Sequence, residues 1–160
     1  MRQIGKKSLT IAAFLTMLLW AGAAAAGAIV TSIVTDPLSG VAIDGYDPVT
    51  YFTESEPQLG KPDFEYYWGG VPWYFVNAAN RDVFIRAPEV YAPVHGGHCE
   101  MSLARGYLSD GKPRIFVIAG KKLYFFYSTA KRDAFMLARP AAIRDAAANW
   151  PKFSAELSAN

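Results

Sequence analysis

The sequence predicts an α+β domain, in which a small antiparallel sheet of two hairpins packs with several short helices. Paired strand-like runs flank glycine-containing turns, and such turns favour hairpins over the long crossovers of parallel sheets. The order of strands and helices gives hairpins rather than βαβ units, which is typical of the α+β class. The 160 residues suffice for one domain with an apolar core. No internal repeat is evident.

The first 26 residues have the pattern of a secretory signal peptide. A basic start precedes an apolar run over residues 9–20, and Ala24 and Ala26 occupy the small-residue positions before a cleavage point. Apolar residues continue to Val30, so the segment is also long enough to span a bilayer as an uncleaved anchor. We expect cleavage, because alanines make the end of the run only weakly apolar. The protein is therefore predicted to be periplasmic or secreted, with no membrane contact beyond this segment.

The charge balance changes when the leader is removed. The whole chain has a formal net charge of +2, but its leader contains only basic charges, so the remainder is slightly acidic. A nucleic-acid partner, which needs a basic face, is not expected. The single cysteine excludes an intrachain disulfide, so the fold depends on its apolar core.

Beyond the leader the sequence predicts an extended lead-in, a folded domain and a C-terminal tail, over residues 27–43, 44–153 and 154–160. Asp44 and Asp47 are predicted to form turns, because Asp-Gly and Asp-Pro are turn signals. A short strand ending at Phe52 is expected to follow, on the β propensity of its valine and aromatic residues.

Two hairpins are predicted next, because strand-like runs rich in aromatic and β-branched residues flank short turns. Their positions are residues 64–68 and 71–76 around Gly69-Gly70, and residues 114–127 around Ala119-Gly120-Lys121. The sequence therefore places one hairpin on each side of the central glycine-rich stretch.

Helices are predicted after each hairpin. Asn77 is a favourable N-cap for a helix over residues 78–87. Ser128 is a favourable N-cap for a second helix, which ends near Arg139. Pro140 begins a last helix that ends near residues 149–153, with a tryptophan anchoring it on the sheet. Prolines are favoured in the first turn of a helix, which supports this boundary.

The chemistry-bearing residues concentrate in the stretch HGGHCEM. His95 and His98 are the two histidines of the chain, and Cys99 is its only cysteine. Met101 follows them closely. Thiolate, imidazole and thioether ligands suit Cu(I), and the first two also suit zinc. A glycine-rich loop can wrap a metal ion, so the stretch predicts a copper or zinc site with copper favoured.

Two other interpretations of this stretch stay open. Gly96-Gly97 can form a tight turn, after which Cys99 begins a short helix to Arg105 as a buried small residue. In this interpretation both histidines and the adjacent Glu100 are solvated or bonded to the backbone. Alternatively, Cys99 is a reactive thiolate with His95 as its base.

Four segments of the chain resemble the YHS domain family, specifically its secreted, longer subgroup. They are GYDPVTYF (45–52), WYFVNAANRDVFIRAPEVYAP (73–93), GGHCEMSLARG (96–106) and ANWP (148–151). The resemblance implies a small α+β unit and a role in metal binding. The longer subgroup retains a Gly-Gly-x-Cys element, which is Gly96-Gly97-His98-Cys99 here.

The chain departs from the short, metal-associated members of that family at their cysteine positions. The corresponding residues here are Thr50, Val76 and Asn80, and none of them is a soft metal ligand. The resemblance therefore does not carry those members' metal site over to this chain.

The sequence predicts a binding module rather than an enzyme. Its metal would be held by His95, His98 and Cys99, with Met101 as an auxiliary ligand, for sequestration or delivery to a metal-handling partner protein. The alternative is a module for a small ligand or a protein, in which the Gly-Gly-x-Cys turn is structural. A thiol-dependent enzyme or redox sensor is a third hypothesis.

Overall fold

The computed structural model describes residues 32–159. The predicted signal peptide or anchor therefore lies outside the described residues. Within the described chain, no helix combines the length and the apolar character needed to cross a membrane.

The predicted α+β class is confirmed, although the two hairpins form two separate two-stranded antiparallel sheets rather than one. The first sheet pairs β1 (Lys61–Trp68) with β2 (Val71–Phe75), and the second pairs β3 (Lys112–Ala119) with β4 (Lys122–Phe126). Both turns lie at the predicted glycines. Their central residues have positive φ, which the tight primed hairpin turns require.

Five helices complete the described fold: α1 (Thr50–Thr53), α2 (Ala78–Arg86), α3 (Pro88–Tyr91), α4 (Glu100–Ala104) and α5 (Thr129–Ala159). Asn77 caps α2 as predicted, since its side chain accepts a hydrogen bond from the Asn80 amide at 2.9 Å. The two predicted C-terminal helices form the single element α5, which is kinked at Ala138 (φ −130°) shortly before Pro140. This helix continues to Ala159, so most of the predicted tail is helical.

The strand predicted before Phe52 is wrong, because the chain forms the short helix α1 there. Asp47 and Pro48 act as a helix start: the Asp47 carboxylate accepts the Val49 amide at 2.8 Å, and proline is favoured in a first helical turn. This local capping overrides the β propensity of the residues that follow.

The lead-in is also more compact than predicted. An antiparallel bridge joins Thr35 to Ala42, and the side chains of Val41 and Ile43 are buried. Ala42 and Ile43 therefore belong to the first core cluster, which also contains Trp73, Phe75, Phe84 and Phe125, and Ile33 packs against it. A second core cluster gathers Cys99, Met101, Tyr124, Phe126 and Phe135.

The structure contains an internal repeat that is not evident from the sequence alone. Both hairpins pair a strand of 8 residues with a strand of 5, and a helix follows each. Residues 60–86 match residues 111–137 without a gap. The identical pairs are Gly60/Gly111, Lys61/Lys112, Pro62/Pro113, Gly69/Gly120, Phe75/Phe126, Ala79/Ala130, Arg81/Arg132, Asp82/Asp133 and Phe84/Phe135.

The repeat extends upstream to the turns that precede α1 and α4. Three successive residues of each turn have positive φ: Ile43, Asp44 and Gly45 (45°, 53° and 78°), and His95, Gly96 and Gly97 (52°, 64° and 89°). The Gly60 amide donates to the Gly45 carbonyl at 2.9 Å, and the Gly111 amide donates to the Gly97 carbonyl at 3.0 Å. We call residues 43–87 the first repeat and residues 95–138 the second repeat.

This correspondence pairs the chemistry-bearing residues of the second repeat with particular residues of the first. The pairs are His95/Ile43, His98/Tyr46, Cys99/Asp47, Glu100/Pro48, Ser102/Thr50 and Lys131/Asn80. Scattered identities and a one-residue difference in loop length (Gly45 to Gly60 against Gly97 to Gly111) hide the repeat at the level of sequence.

Candidate functional site

The turn that carries His95 is held in a left-handed conformation by close packing. His95 has φ 52°, which is uncommon for a residue other than glycine, although histidine is among the residues enriched there. A Cβ atom at Gly96 would overlap the carbonyl group of Ser32, so glycine is required at this position. The turn therefore fixes the direction of the His95 side chain.

His95 forms a buried pair with Glu100. Its Nδ1 atom lies 2.8 Å from Glu100 Oε2, and the side chains are 11% and 1% exposed. With the Glu100 oxygen as the acceptor, Nδ1 carries the proton of this contact. Nε2 is then the ring atom left to interact with a ligand, because the hydrogen bond at one imidazole nitrogen decides the role of the other.

His98 lies beside this pair and contacts a second carboxylate. Its Nδ1 atom is 3.4 Å from Oδ1 of Asp110, a polar contact longer than a well-formed hydrogen bond. This contact, and secondarily the charge of the imidazole, lowers the pKa of Asp110, while partial burial opposes the change. The contact joins the turn to the loop before β3.

His95, His98, Glu100 and Asp110 form a polar cluster. Three of its buried polar atoms have no hydrogen-bond partner among the described residues: both ring nitrogens of His98, and Oε1 of Glu100. Buried polar side-chain atoms are nearly always paired, because an unpaired one loses its hydration without compensation. The cluster is therefore a place where the fold by itself does not satisfy its own polar groups.

Trp150 covers both histidines from the C-terminal part of α5. Its ring centroid lies 5.2 Å from that of His95 and 5.7 Å from that of His98. The neighbouring Asn149 donates from Nδ2 to the Leu103 carbonyl at 2.8 Å, which fixes this part of the helix on α4. This segment of α5 lies beyond the second repeat.

An open cleft of about 280 Å³ lies against this cluster. Its walls include His95, Trp68, Trp73 and Trp150, together with the backbone around Gly96. Trp68, Trp73 and Trp150 are all of the tryptophans in the described chain. The Trp73 indole N–H donates to the Trp68 carbonyl at 2.9 Å, so that wall is held in place. The side chains that line the cleft are mostly apolar, and one of them is an imidazole.

The four predicted metal ligands are divided between two environments. His95 and His98 contact Trp150, whereas Cys99 and Met101 pack in the second core cluster. Among residues 32–159, no group of three or more histidine, cysteine, aspartate and glutamate side chains could hold a metal ion. This arrangement does not suit one copper or zinc ion bound by all four residues.

The Cys99 side chain is fully buried, at 0% exposure. Its environment resembles that of a structural cysteine more than that of a reactive thiolate, which needs access and a stabilising positive neighbour. Gly96 and Gly97 form the predicted turn before it, with positive φ at both residues.

Asp44 and Asp47 lie in the first repeat, in the turn that precedes α1. Asp44 is exposed, and partial burial of its carboxyl, together with the charges of Asp36 and Asp110, raises its pKa. Asp47 is fully buried and accepts hydrogen bonds from the Val76 amide at 2.8 Å and from Asn80 Nδ2 at 2.7 Å. Neither carboxylate forms a hydrogen bond with a histidine.

Thr50, Val76 and Asn80, the positions at which the resemblance implies cysteines in other proteins, all contact Asp47. The Thr50 hydroxyl donates to the Asp47 carbonyl at 2.7 Å, and the other two residues donate to its carboxylate. Val76 and Asn80, which are far from Asp47 in the sequence, therefore meet it at its carboxylate.

Glu100, Asp110 and the tryptophans of the cleft were not predicted as site residues. Glu100 is interpreted from the sequence as solvated, but its side chain is 1% exposed and contacts His95. The available signal was its place directly after His98-Cys99 in a stretch with few other charges. Comparison of the chain with protein-family models, with curated proteins and with solved structures finds no match in any of the three.

Proposed function

We propose that the protein is a binding module for a small, mainly apolar molecule, which occupies the tryptophan-lined cleft and contacts His95. One observation carries this proposal: His95, which is hydrogen-bonded to the buried Glu100, lines a cleft whose other side chains are mostly apolar. Small-molecule sites combine mostly apolar walls with a few fixed polar groups, which orient the ligand. The Gly-Gly-x-Cys turn is then structural, since it positions the imidazole.

The repeat supports this proposal. Where the second repeat has His95, His98 and Glu100, the first repeat has Ile43, Tyr46 and Pro48 on an equivalent backbone. The turn of the first repeat therefore forms without counterparts of the two histidines and of Glu100. Burying such groups costs free energy when they are not fully paired, so their presence in one repeat indicates a role outside folding.

The test uses the full chain labelled with ¹⁵N and mixtures of small aromatic and aliphatic fragments. We expect some fragments to shift the indole N–H signals of Trp68, Trp73 and Trp150 together, because all three line one cleft. Trp150→Leu should abolish these shifts. Glu56→Gln is the matched control, since it lies at a separate cleft of about 380 Å³ that contains no tryptophan. Fragments that leave the three indole signals unmoved would contradict the proposal.

Metal binding is a second candidate, favoured by Nε2 of His98, which has no hydrogen-bond partner among the described residues. Imidazole nitrogen is a ligand for zinc and copper. A metal held with Cys99 or Met101 as well would require these side chains to leave the second core cluster. Elemental analysis of untagged protein, loaded separately with Cu(I) and with Zn²⁺, tests this candidate against Cys99→Ser and His98→Phe. Stoichiometric metal that is lost in either variant would favour it over the small-molecule proposal.

We also infer that the protein is exported, on the basic start, apolar run and small-residue cleavage pattern of residues 1–26. Cell fractionation and N-terminal sequencing test this inference. Export with cleavage after Ala26 is the expected result, and a full-length chain in the membrane fraction would indicate the anchor instead.

A further inference from the structure

We propose that the ligand is an aromatic hydrogen-bond donor of one or two rings, such as a phenol or an N–H heterocycle, which donates to Nε2 of His95. This inference rests on the proposed function and adds the chemical class of the ligand. It depends on three features of the cleft: the role of the imidazole, the charges behind it and the volume available.

The first feature is the direction of the His95–Glu100 hydrogen bond. Nδ1 of His95 is 2.8 Å from Oε2 of Glu100, whose side chain is 1% exposed. With the Glu100 oxygen as the acceptor of this hydrogen bond, Nδ1 carries the proton of the contact. In the neutral imidazole Nε2 then carries the lone pair. The cleft therefore offers an acceptor, and the complementary ligand group is an O–H or N–H.

The second feature is the sign of the charges. Among the described residues that line the cleft, His95 is the only ionisable one. The ring of His95 contacts the buried carboxylate of Glu100, whose side chain is 1% exposed. An anionic ligand that contacts His95 would lie near this poorly solvated carboxylate, which is unfavourable. A neutral donor carries no such penalty.

The third feature is the size and character of the walls. A buried cavity of about 150 Å³ lined by apolar side chains is known to bind benzene. The cleft measures about 280 Å³ and has Trp68, Trp73 and Trp150 in its walls. Aromatic rings pack favourably against one another in offset or edge-to-face arrangements. One ring or two fused rings therefore match the cleft in both volume and surface.

Three probes of nearly equal shape separate these features: 2-naphthol, 2-methoxynaphthalene and 2-naphthoate. The first has a donor, the second lacks it, and the third is an anion. Isothermal titration measures the affinity of each for the full chain. We expect 2-naphthol to bind at least about tenfold more tightly than the other two, because a buried acceptor left without its donor loses a hydrogen bond.

Two variants assign this preference to the imidazole. His95→Asn keeps a residue that tolerates the left-handed conformation but removes Nε2, so the advantage of 2-naphthol should disappear. Glu100→Gln retains the shape of the side chain but removes its charge. It should reduce the discrimination against 2-naphthoate while leaving 2-methoxynaphthalene unchanged. Circular dichroism and thermal melts of both variants establish that they fold.

The outcomes distinguish the ligand class from the proposed function. Tighter binding of 2-naphthol that depends on His95 supports the inference. Equal binding of the three probes, or tightest binding of 2-naphthoate, overturns the ligand class but leaves the cleft a binding site. If none of the probes binds and no fragment shifts the indole signals, both the ligand class and the binding function are wrong.

Discussion

The two repeats have the same turn, strand lengths and helix start, yet they use polar groups in opposite ways. In the first repeat, Asp47 is fully buried and accepts hydrogen bonds from Val49, Val76 and Asn80, all within the fold. In the second repeat the equivalent position is Cys99, which packs among apolar side chains. The buried carboxylate there is that of Glu100, one residue later.

The two repeats therefore differ in whether their buried polar side chains are satisfied within the fold. Asn80 of the first repeat corresponds to Lys131 of the second, and Lys131 Nζ donates to Ser102 Oγ at 2.5 Å and to the Tyr107 hydroxyl at 2.9 Å. Both repeats therefore satisfy the polar side chains at this helix. Within residues 32–159, the buried side-chain polar atoms without a hydrogen-bond partner belong to His98 and Glu100, and the neighbouring His95 lines the cleft.

The largest expected effect is the loss of the Asp47 carboxylate. Asp47→Ala leaves the Val76 amide and the Asn80 side chain without their acceptor, so the free energy of unfolding should fall by about 4 kcal/mol, since each unsatisfied buried donor costs about 1–3 kcal/mol. Cys99→Ala, at the equivalent position, should cost only about 1–2 kcal/mol, because it removes a single apolar atom. Urea denaturation followed by circular dichroism measures both values. Similar losses in the two variants would remove the contrast between the repeats.

The next effect concerns the turn. Gly96→Ala places a Cβ atom against the Ser32 carbonyl group and strains a positive φ, so it should cost about 2–3 kcal/mol. Asp44→Ala is the matched change in the first repeat, where the residue is exposed, and should cost about 1 kcal/mol from the positive φ alone. Thermal unfolding compares the two variants. A neutral Gly96→Ala would mean that the turn is not held against residue 32.

A smaller effect on stability is expected from removal of the buried pair. The double substitution His95→Ile with Glu100→Leu replaces both side chains by apolar ones. Isoleucine is also the residue at the equivalent position of the first repeat, Ile43. Stability should change by less than about 1 kcal/mol or increase, because apolar replacement of a buried polar pair is often neutral or favourable. Fragment binding should be lost. A destabilisation of several kcal/mol would instead assign the pair to the fold.

The smallest effect is the pH dependence of the contact between Asp110 and His98. Because the folded state lowers the pKa of Asp110, its contribution to stability is present above the unfolded value, about 3.9. This contribution is lost as the pH falls through the lower folded value. Asp110→Asn should therefore melt at a lower temperature than the wild type at pH 6, and this gap should close near pH 2.

Asp133→Asn is the control for that measurement, because this carboxylate is exposed and pairs only with the adjacent Arg132. Its melting temperature should follow that of the wild type at both pH values. A gap for Asp110→Asn that persists unchanged at low pH would show that the contact with His98 does not depend on the charge of the carboxylate.

The features that could be predicted from the sequence are those that depend on neighbouring residues along the chain. Gly69-Gly70 and Gly120 mark the hairpin turns, and Asn77 marks the start of α2, because turn and cap preferences are local. The strand expected before Phe52 failed, since the cap at Asp47 outweighed β propensity. The repeat was missed because few identities survive between its copies.

The candidate site was only partly predictable for the same physical reason. His95, Gly96 and Gly97 stand out in the sequence, and they lie at the cleft or in its turn. The burial of Glu100 and the approach of Trp150 arise from packing between α4 and the end of α5, which are far apart in sequence. Likewise, the separation of Cys99 from the histidines depends on which side of the turn faces the second core cluster.

The most direct test of the central claim is the tautomer of His95, read from the ring nitrogens by ¹⁵N NMR of the free full chain at pH 8. The chain has two histidines, so His98→Phe assigns the signals. We expect a proton on Nδ1 and a bare Nε2, whose signal moves when 2-naphthol is added. A proton on Nε2 instead, with no response to 2-naphthol, would contradict an imidazole that Glu100 holds ready as an acceptor for a ligand.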